Sequence, residues 1–253
     1  MTNEPNSPDR MRSVLVLVAT IATIAFNGLA AAGYVNGVTP EFISGKYPTV
    51  LTPAGYAFTI WSVIYLGLLA FSIYQLLPPN LTRFRPVRSL YILSCVLNCA
   101  WIYFWHRDQI AVCLFLILLL LITLILMLVR FRRPEAIGGR LLTKSVFGVY
   151  AGWVTAATLV NVAVFLKYLG VEMPPVGWNT LGVASIIFAA TLAVIVRLRL
   201  QNYFYPLAIA WAATAIAVKQ SGNTAIVVAS SVCVIVCLVM AVSFVLDQKS
   251  TTT

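Results

Sequence analysis

The stretch TPAGYAFTIWSVIYLGL, Thr52–Leu68, decides how the chain is read. It opens on Pro53, where a helix can start because the missing N–H belongs to the unpaired first turn. It then stays apolar for about one membrane width. Phe58, Trp61 and Tyr65 recur at i, i+3 and i+7 and so share one helix face. A helix that faces only lipid has no need of such a row; one that grips a flat body does.

Two later stretches repeat the pattern. In LNCAWIYFW (Leu97–Trp105), Asn98, Trp101 and Trp105 have the same spacing. In VYAGWVTAATLVN (Val149–Asn161), Tyr150, Trp153, Ala157 and Asn161 fall on one face. Asn98 and Asn161 are costly in hydrocarbon, so each is expected to face the bundle, as helix–helix glue or as a ligand contact.

The whole chain fits a bilayer. Of 253 residues, 61% are hydrophobic and 9% charged, against about 25% charged in soluble domains. The expected class is an all-α polytopic membrane protein. Its spans are placed at 13–34, 53–77, 88–105, 109–129, 144–166, 178–196, 203–218 and 224–246, each near the roughly 20 residues a bilayer requires and the seventh the shortest. Residues 1–12 and 247–253 read as polar tails. Arg10 and Arg12 ahead of the first apolar run could be mistaken for a signal peptide, but that run is long enough to span. The fourth span, nearly all Leu and Ile between Leu114 and Leu126, has no polar stripe and is expected to be the most lipid-exposed. The Gly/Pro-rich loop 33–51 should cover one mouth of the bundle.

The net charge of +10 does not point to nucleic acid, because the basic residues sit in short loops between apolar runs. With eight spans, thirteen of the 17 Lys and Arg residues fall on one side, which predicts both ends of the chain in the cytoplasm.

The motifs carry a family resemblance. KYPTVLTPAGYAFTIWSVIY, the Asn–x–x–Trp at Asn98–Trp101 and the Tyr–x–x–Trp–Val–Thr–x–Ala–x–x–x–Asn at Tyr150–Asn161 resemble, in order, three signatures of the TspO/MBR family (translocator protein, tryptophan-rich sensory protein). The resemblance covers roughly residues 13–166. It implies a five-helix unit over 13–167, here followed by three further helices over 178–246, and a loop before the second helix that is poorer in Trp than the family's. It implies porphyrin- or sterol-like ligands, and by motif position it points to Trp61, Asn98, Trp101, Trp153, Ala157 and Asn161 as pocket residues. Phe58, Tyr65 and Tyr150 join them by sharing the same stripes. It also suggests a bacterial inner membrane. The cholesterol-type motif needs a Lys or Arg soon after a Tyr; Tyr168 is followed by LGVEM, so cholesterol loses ground.

Little else in the sequence carries chemistry. All seven acidic residues lie in expected tails or loops, which disfavours an ion-coupled pump and paired-carboxylate catalysis. His106, at the end of the third span, reads as a solvated interfacial imidazole or else as a haem ligand. The five cysteines, including the i, i+4 pairs Cys95/Cys99 and Cys233/Cys237, read as small apolar helix residues. Trp105 and Trp178, at span ends, read as interfacial belt. Lys46 and Arg107 are candidate cations at the pocket mouth. The expected function is a membrane sensor or translocator that binds a tetrapyrrole-like compound in an aromatic pocket, with no obligatory cofactor. The alternatives are a facilitative transporter of another small apolar solute and a porphyrin-degrading enzyme. The last three helices either shield the five-helix unit from lipid or replace a dimer partner, so a homodimer stays open.

Overall fold

A computed structural model describes residues 7–131 and 137–243. They form α1 (Ser7–Ala31), α2 (Pro40–Lys46), α3 (Ile60–Tyr74), α4 (Arg85–His106), α5 (Ile110–Arg130), α6 (Ile137–Tyr168), α7 (Pro175–Leu200), α8 (Phe204–Lys219) and α9 (Thr224–Val242), with no strand among the described residues. Seven segments are long and apolar enough to cross a membrane, α3 being counted with the 3-10 turn before it (Gly55–Tyr74); α8, at 16 residues, is shorter than these. At 1.5 Å per residue α8 reaches only about 24 Å. Most of its residues are buried, and it packs against α6, α7 and α9.

Side-chain bonds sort the helix ends into two faces. On one, Asp9 of α1 pairs with Arg85 and Arg88 of α4, and Gln75 after α3 donates to Ser13 O at 2.8 Å. Arg130 of α5 donates to Pro86 O, Lys144 of α6 to Gln201 O after α7, and Arg197 of α7 to Ser243 after α9. On the other, His106 meets Ala30 O, Tyr47 bonds Asp108, and Gln220 bonds Thr49 O. The spans therefore alternate in direction, and both ends of the described chain lie on the same face.

Small residues let the later helices join the first five. On α6, Gly148, Gly152 and Ala156 recur every fourth residue, the small-residue spacing that lets membrane helices approach closely. A Cβ on Gly152 would sit 2.5 Å from the Tyr205 carbonyl oxygen of α8. Thr155 and the Tyr205 hydroxyl share a hydrogen bond of 2.7 Å across the same seam. Towards the basic face the core is aromatic: the Phe147 ring lies 4.9 Å from both Phe71 and Phe131.

Several expectations are corrected. Helix α1 begins at Ser7, inside the stretch read as a tail, and Asp9 is 3% exposed rather than solvated. Residues 247–253 lie outside the described residues. Pro53 does not open an α-helix; a 3-10 turn over Gly55–Thr59 precedes α3. The helix α5 is not the most lipid-exposed span: 39% of its apolar stretch is buried inside the fold against 22% for α1. An all-apolar surface packs on α4 and α6 as readily as it faces lipid, so its composition does not rank it.

Candidate functional site

The loop between α1 and α3 is built around α2. Thr39 caps it, accepting from Phe42 N, and Pro40 occupies its first turn. Trp105 Nε1 donates to Pro40 O at 3.1 Å, Asn36 to His106 O at 2.8 Å, and Tyr47 OH to Asp108 Oδ2 at 3.0 Å. Lys46 is ion-paired with the same Asp108 oxygen. That carboxylate raises the Lys46 pKa, chiefly through the hydrogen bond; Tyr47 is also raised, first by desolvation and then by Asp108. Asp108 adopts positive φ in the tight α4–α5 turn, a conformation that Asp tolerates. The loop thus lies over the bundle, as expected, and Ser44 of α2 is buried against what is beneath.

Beneath it is a small aromatic cavity of about 40 Å³. Its walls are Phe58 and Trp61 from the second span, Trp101 and Trp105 from α4, and Trp153, Ala157 and Asn161 from α6, with Ala212 and Ile216 of α8 closing one side. Trp101 and Trp105 stack at 5.3 Å. Trp153 meets Phe58 and Trp61 edge-on at 6.2 and 6.3 Å. Trp101 donates its indole N–H to Asn161 Oδ1 at 3.3 Å, and the Asn161 amide nitrogen donates back to Ala157 O at 2.9 Å. Trp153 is 4% exposed, and its Nε1 has no hydrogen-bond partner among the described residues. A buried donor of this kind costs about 1–3 kcal/mol.

Six of the nine residues singled out in the sequence therefore line one cavity: Phe58, Trp61, Trp101, Trp153, Ala157 and Asn161. Asn98 and Tyr150 do not. They lie a turn nearer the start of α4 and α6, where Asn98 donates to the Tyr150 hydroxyl at 2.9 Å and accepts from Asn27 of α1 at 2.8 Å. Both are 1% exposed, so Asn98 acts as the glue between three helices. Tyr65 stacks on Trp61 at 5.5 Å but faces a second cavity, a cleft of about 490 Å³ between α1 and α3. Phe58 and Trp61 line both spaces.

Other sequence readings change with the geometry. Trp105 is 2% exposed and part of the cavity, not a belt residue; Trp178 is 7% exposed beneath the Lys167 ammonium, 4.2 Å from its ring. His106 is 1% exposed, with its two ring nitrogens on Ile102 O and Ala30 O at 2.8 and 3.2 Å, so it ties α4 to α1 rather than standing in solvent or facing a ligand. Lys46 is engaged by Asp108, and Arg107 lies over the Tyr103 ring at 4.5 Å, so neither presents a cation to the cavity. The sequence missed Ser44, Ala212 and Ile216. A Thr–Pro–Glu start at Thr39 signals the helix that carries Ser44, whereas nothing in an alanine-rich, evenly apolar α8 marks one face of it.

No curated protein and no solved structure matches the chain. A family model described as TSPO-like protein matches residues 13–243, taking in the last three helices as well as the first five spans. A match over nearly the whole chain, with three aromatic signatures converging on one cavity, means that this membrane protein belongs to the TspO/MBR family.

Proposed function

We propose that the chain is an integral membrane sensor or translocator that binds a flat apolar ligand of the tetrapyrrole type between its indoles. The observation that carries this reading is the convergence of Trp61, Trp101 and Trp153, from three helices, on one uncharged space beside a buried indole N–H with no partner. Indole faces stack on a macrocycle, and the Trp153 N–H and Asn161 amide supply polar points that fix its orientation. The cavity's 40 Å³ holds little more than water, while drug-sized ligands occupy about 300–1,000 Å³. Binding therefore requires the indole cavity itself to widen, with Phe58 and Trp61 as its movable wall. The bilayer position proposed with this function puts both ends of the chain in the cytoplasm of a bacterial inner membrane, on the split of basic residues between the two faces.

The test is a titration with protoporphyrin in detergent, following both Trp quenching and ligand absorbance. Trp153→Phe and Trp61→Phe should each weaken binding roughly threefold to tenfold, from about 0.5–1.5 kcal/mol of stacking. Ile122→Ala, on the lipid-facing side of α5, is the control. Unchanged affinity in both Trp variants would sink the reading.

A further inference from the structure

The α1–α3 cleft is a different kind of space from the indole cavity. At about 490 Å³ it is far larger, and it lies along α1, the least buried of the long spans. Leu66 on its rim is 69% exposed, so the cleft opens sideways between α1 and α3, while Glu41 at its loop end is exposed as well. Its walls are aliphatic along Ile24, Leu66 and Leu69. Gly28 leaves the α1 side open: a Cβ there would meet nothing within 4 Å.

Polar groups gather at its inner wall. The Tyr65 hydroxyl is buried near Asn98, yet makes no hydrogen bond of ordinary geometry among the described residues, and the Asn98 amide is already committed to Tyr150 and Asn27. Asn27 spends its Nδ2 on Thr23 O and Asn98 Oδ1, which leaves its own Oδ1 as an acceptor. One hydroxyl answers both groups, since it can accept from Tyr65 and donate to Asn27; a carboxylate has no proton to give the second. The charge in the lining points the same way. Glu41, exposed on α2, is the cleft's one ionisable carboxyl, and it disfavours a second anion.

We propose that this cleft is a lateral binding site for a neutral single-chain membrane alcohol, its hydroxyl held by Tyr65 and Asn27 and its chain lying along Gly28 and Leu66 out to the bilayer. This site is independent of the tetrapyrrole reading, which concerns the indole cavity and an acidic macrocycle that Glu41 would oppose here.

The experiment places the full chain in nanodiscs and titrates an ω-brominated undecanol and the matching undecanoate, above the carboxylate's pKa. Bromine quenches indole fluorescence on contact, and Trp61 lines the cleft. Partition into lipid gives quenching that does not saturate, whereas a site gives a saturable component. The alcohol should show that component, with the carboxylate at least about tenfold weaker. Gly28→Leu, which fills the open wall with a better helix former, should abolish it. Tyr65→Phe should weaken the alcohol about fivefold. Glu41→Gln should bring the carboxylate closer to the alcohol. Equal saturable quenching by both probes, or quenching by the alcohol that survives Gly28→Leu or is indifferent to Tyr65→Phe, overturns the proposal. Protoporphyrin titration of Gly28→Leu separates the two sites: tetrapyrrole binding that fails in the native chain leaves the alcohol result standing.

Discussion

Trp101 of α4 donates its indole N–H to the Asn161 carboxamide of α6 across 3.3 Å, and Asn161 in turn is held by Ala157 O. Both side chains are at most 5% exposed. The pair sets the width of the indole cavity, because it fixes the two helices that carry Trp105 and Trp153. Asn161→Ala should leave the Trp101 N–H unpaired and cost about 1 kcal/mol. A double-mutant cycle with Trp101→Phe, read by denaturant unfolding in mixed micelles, should give a coupling energy of that order. Additive losses would mean the bond contributes nothing.

Asn98 behaves differently. It bridges Asn27 and Tyr150 but does not line the cavity. Asn98→Ala should destabilise the bundle by about 1–2 kcal/mol while the protoporphyrin affinity of the folded protein stays within roughly twofold. A specific loss of affinity without a loss of stability would return Asn98 to the site.

The last three helices shape the cavity as well as shielding it. Ala212 and Ile216 of α8 are part of its wall. Ala212→Phe should fill the space and lower ligand affinity about tenfold, equivalent to about 1.4 kcal/mol. Gly152→Leu, which drives a side chain into the Tyr205 carbonyl, should instead cost about 1–3 kcal/mol or more of stability and loosen α8 from α6. Thermal unfolding distinguishes the two variants.

The loop helix α2 is held by a charge that titrates. Lys46, paired with Asp108, has its pKa raised above the ordinary lysine value, so on the alkaline side the pairing persists beyond neutral pH and is lost as pH climbs through that raised value. Tyr47, also raised, stays neutral and bonded over the same range. Hydrogen exchange over residues 40–46 should therefore be flat from pH 6 to 9, once corrected for intrinsic rates, and should rise in stronger alkali. Asp108→Asn should raise it at every pH. Protection that falls on acidifying towards pH 6 would contradict the assignment.

The sequence by itself determined the membrane class, the succession of apolar helices and the aromatic stripes. These depend on local quantities: hydrophobic length against bilayer thickness, and spacing against the helical period. Phe58, Trp61, Trp101, Trp153, Ala157 and Asn161 were legible because helical spacing places them on stripes that turn inward. What the periodicity could not resolve is depth along a shared stripe. Asn98 and Trp101 are neighbours on one face, yet one binds two helices together and the other lines a cavity, because Tyr150 from another helix meets Asn98 first. Only the tertiary structure decided that, and with it the roles of His106 and Trp105, the buried pairing of Asp9 and the part played by α8. Each depends on which helices touch. Between helices uniformly apolar to lipid, that choice is made by small-residue packing and a few buried hydrogen bonds, such as Gly152 against Tyr205 and Thr155 with its hydroxyl, and no single helix carries both halves of such a contact.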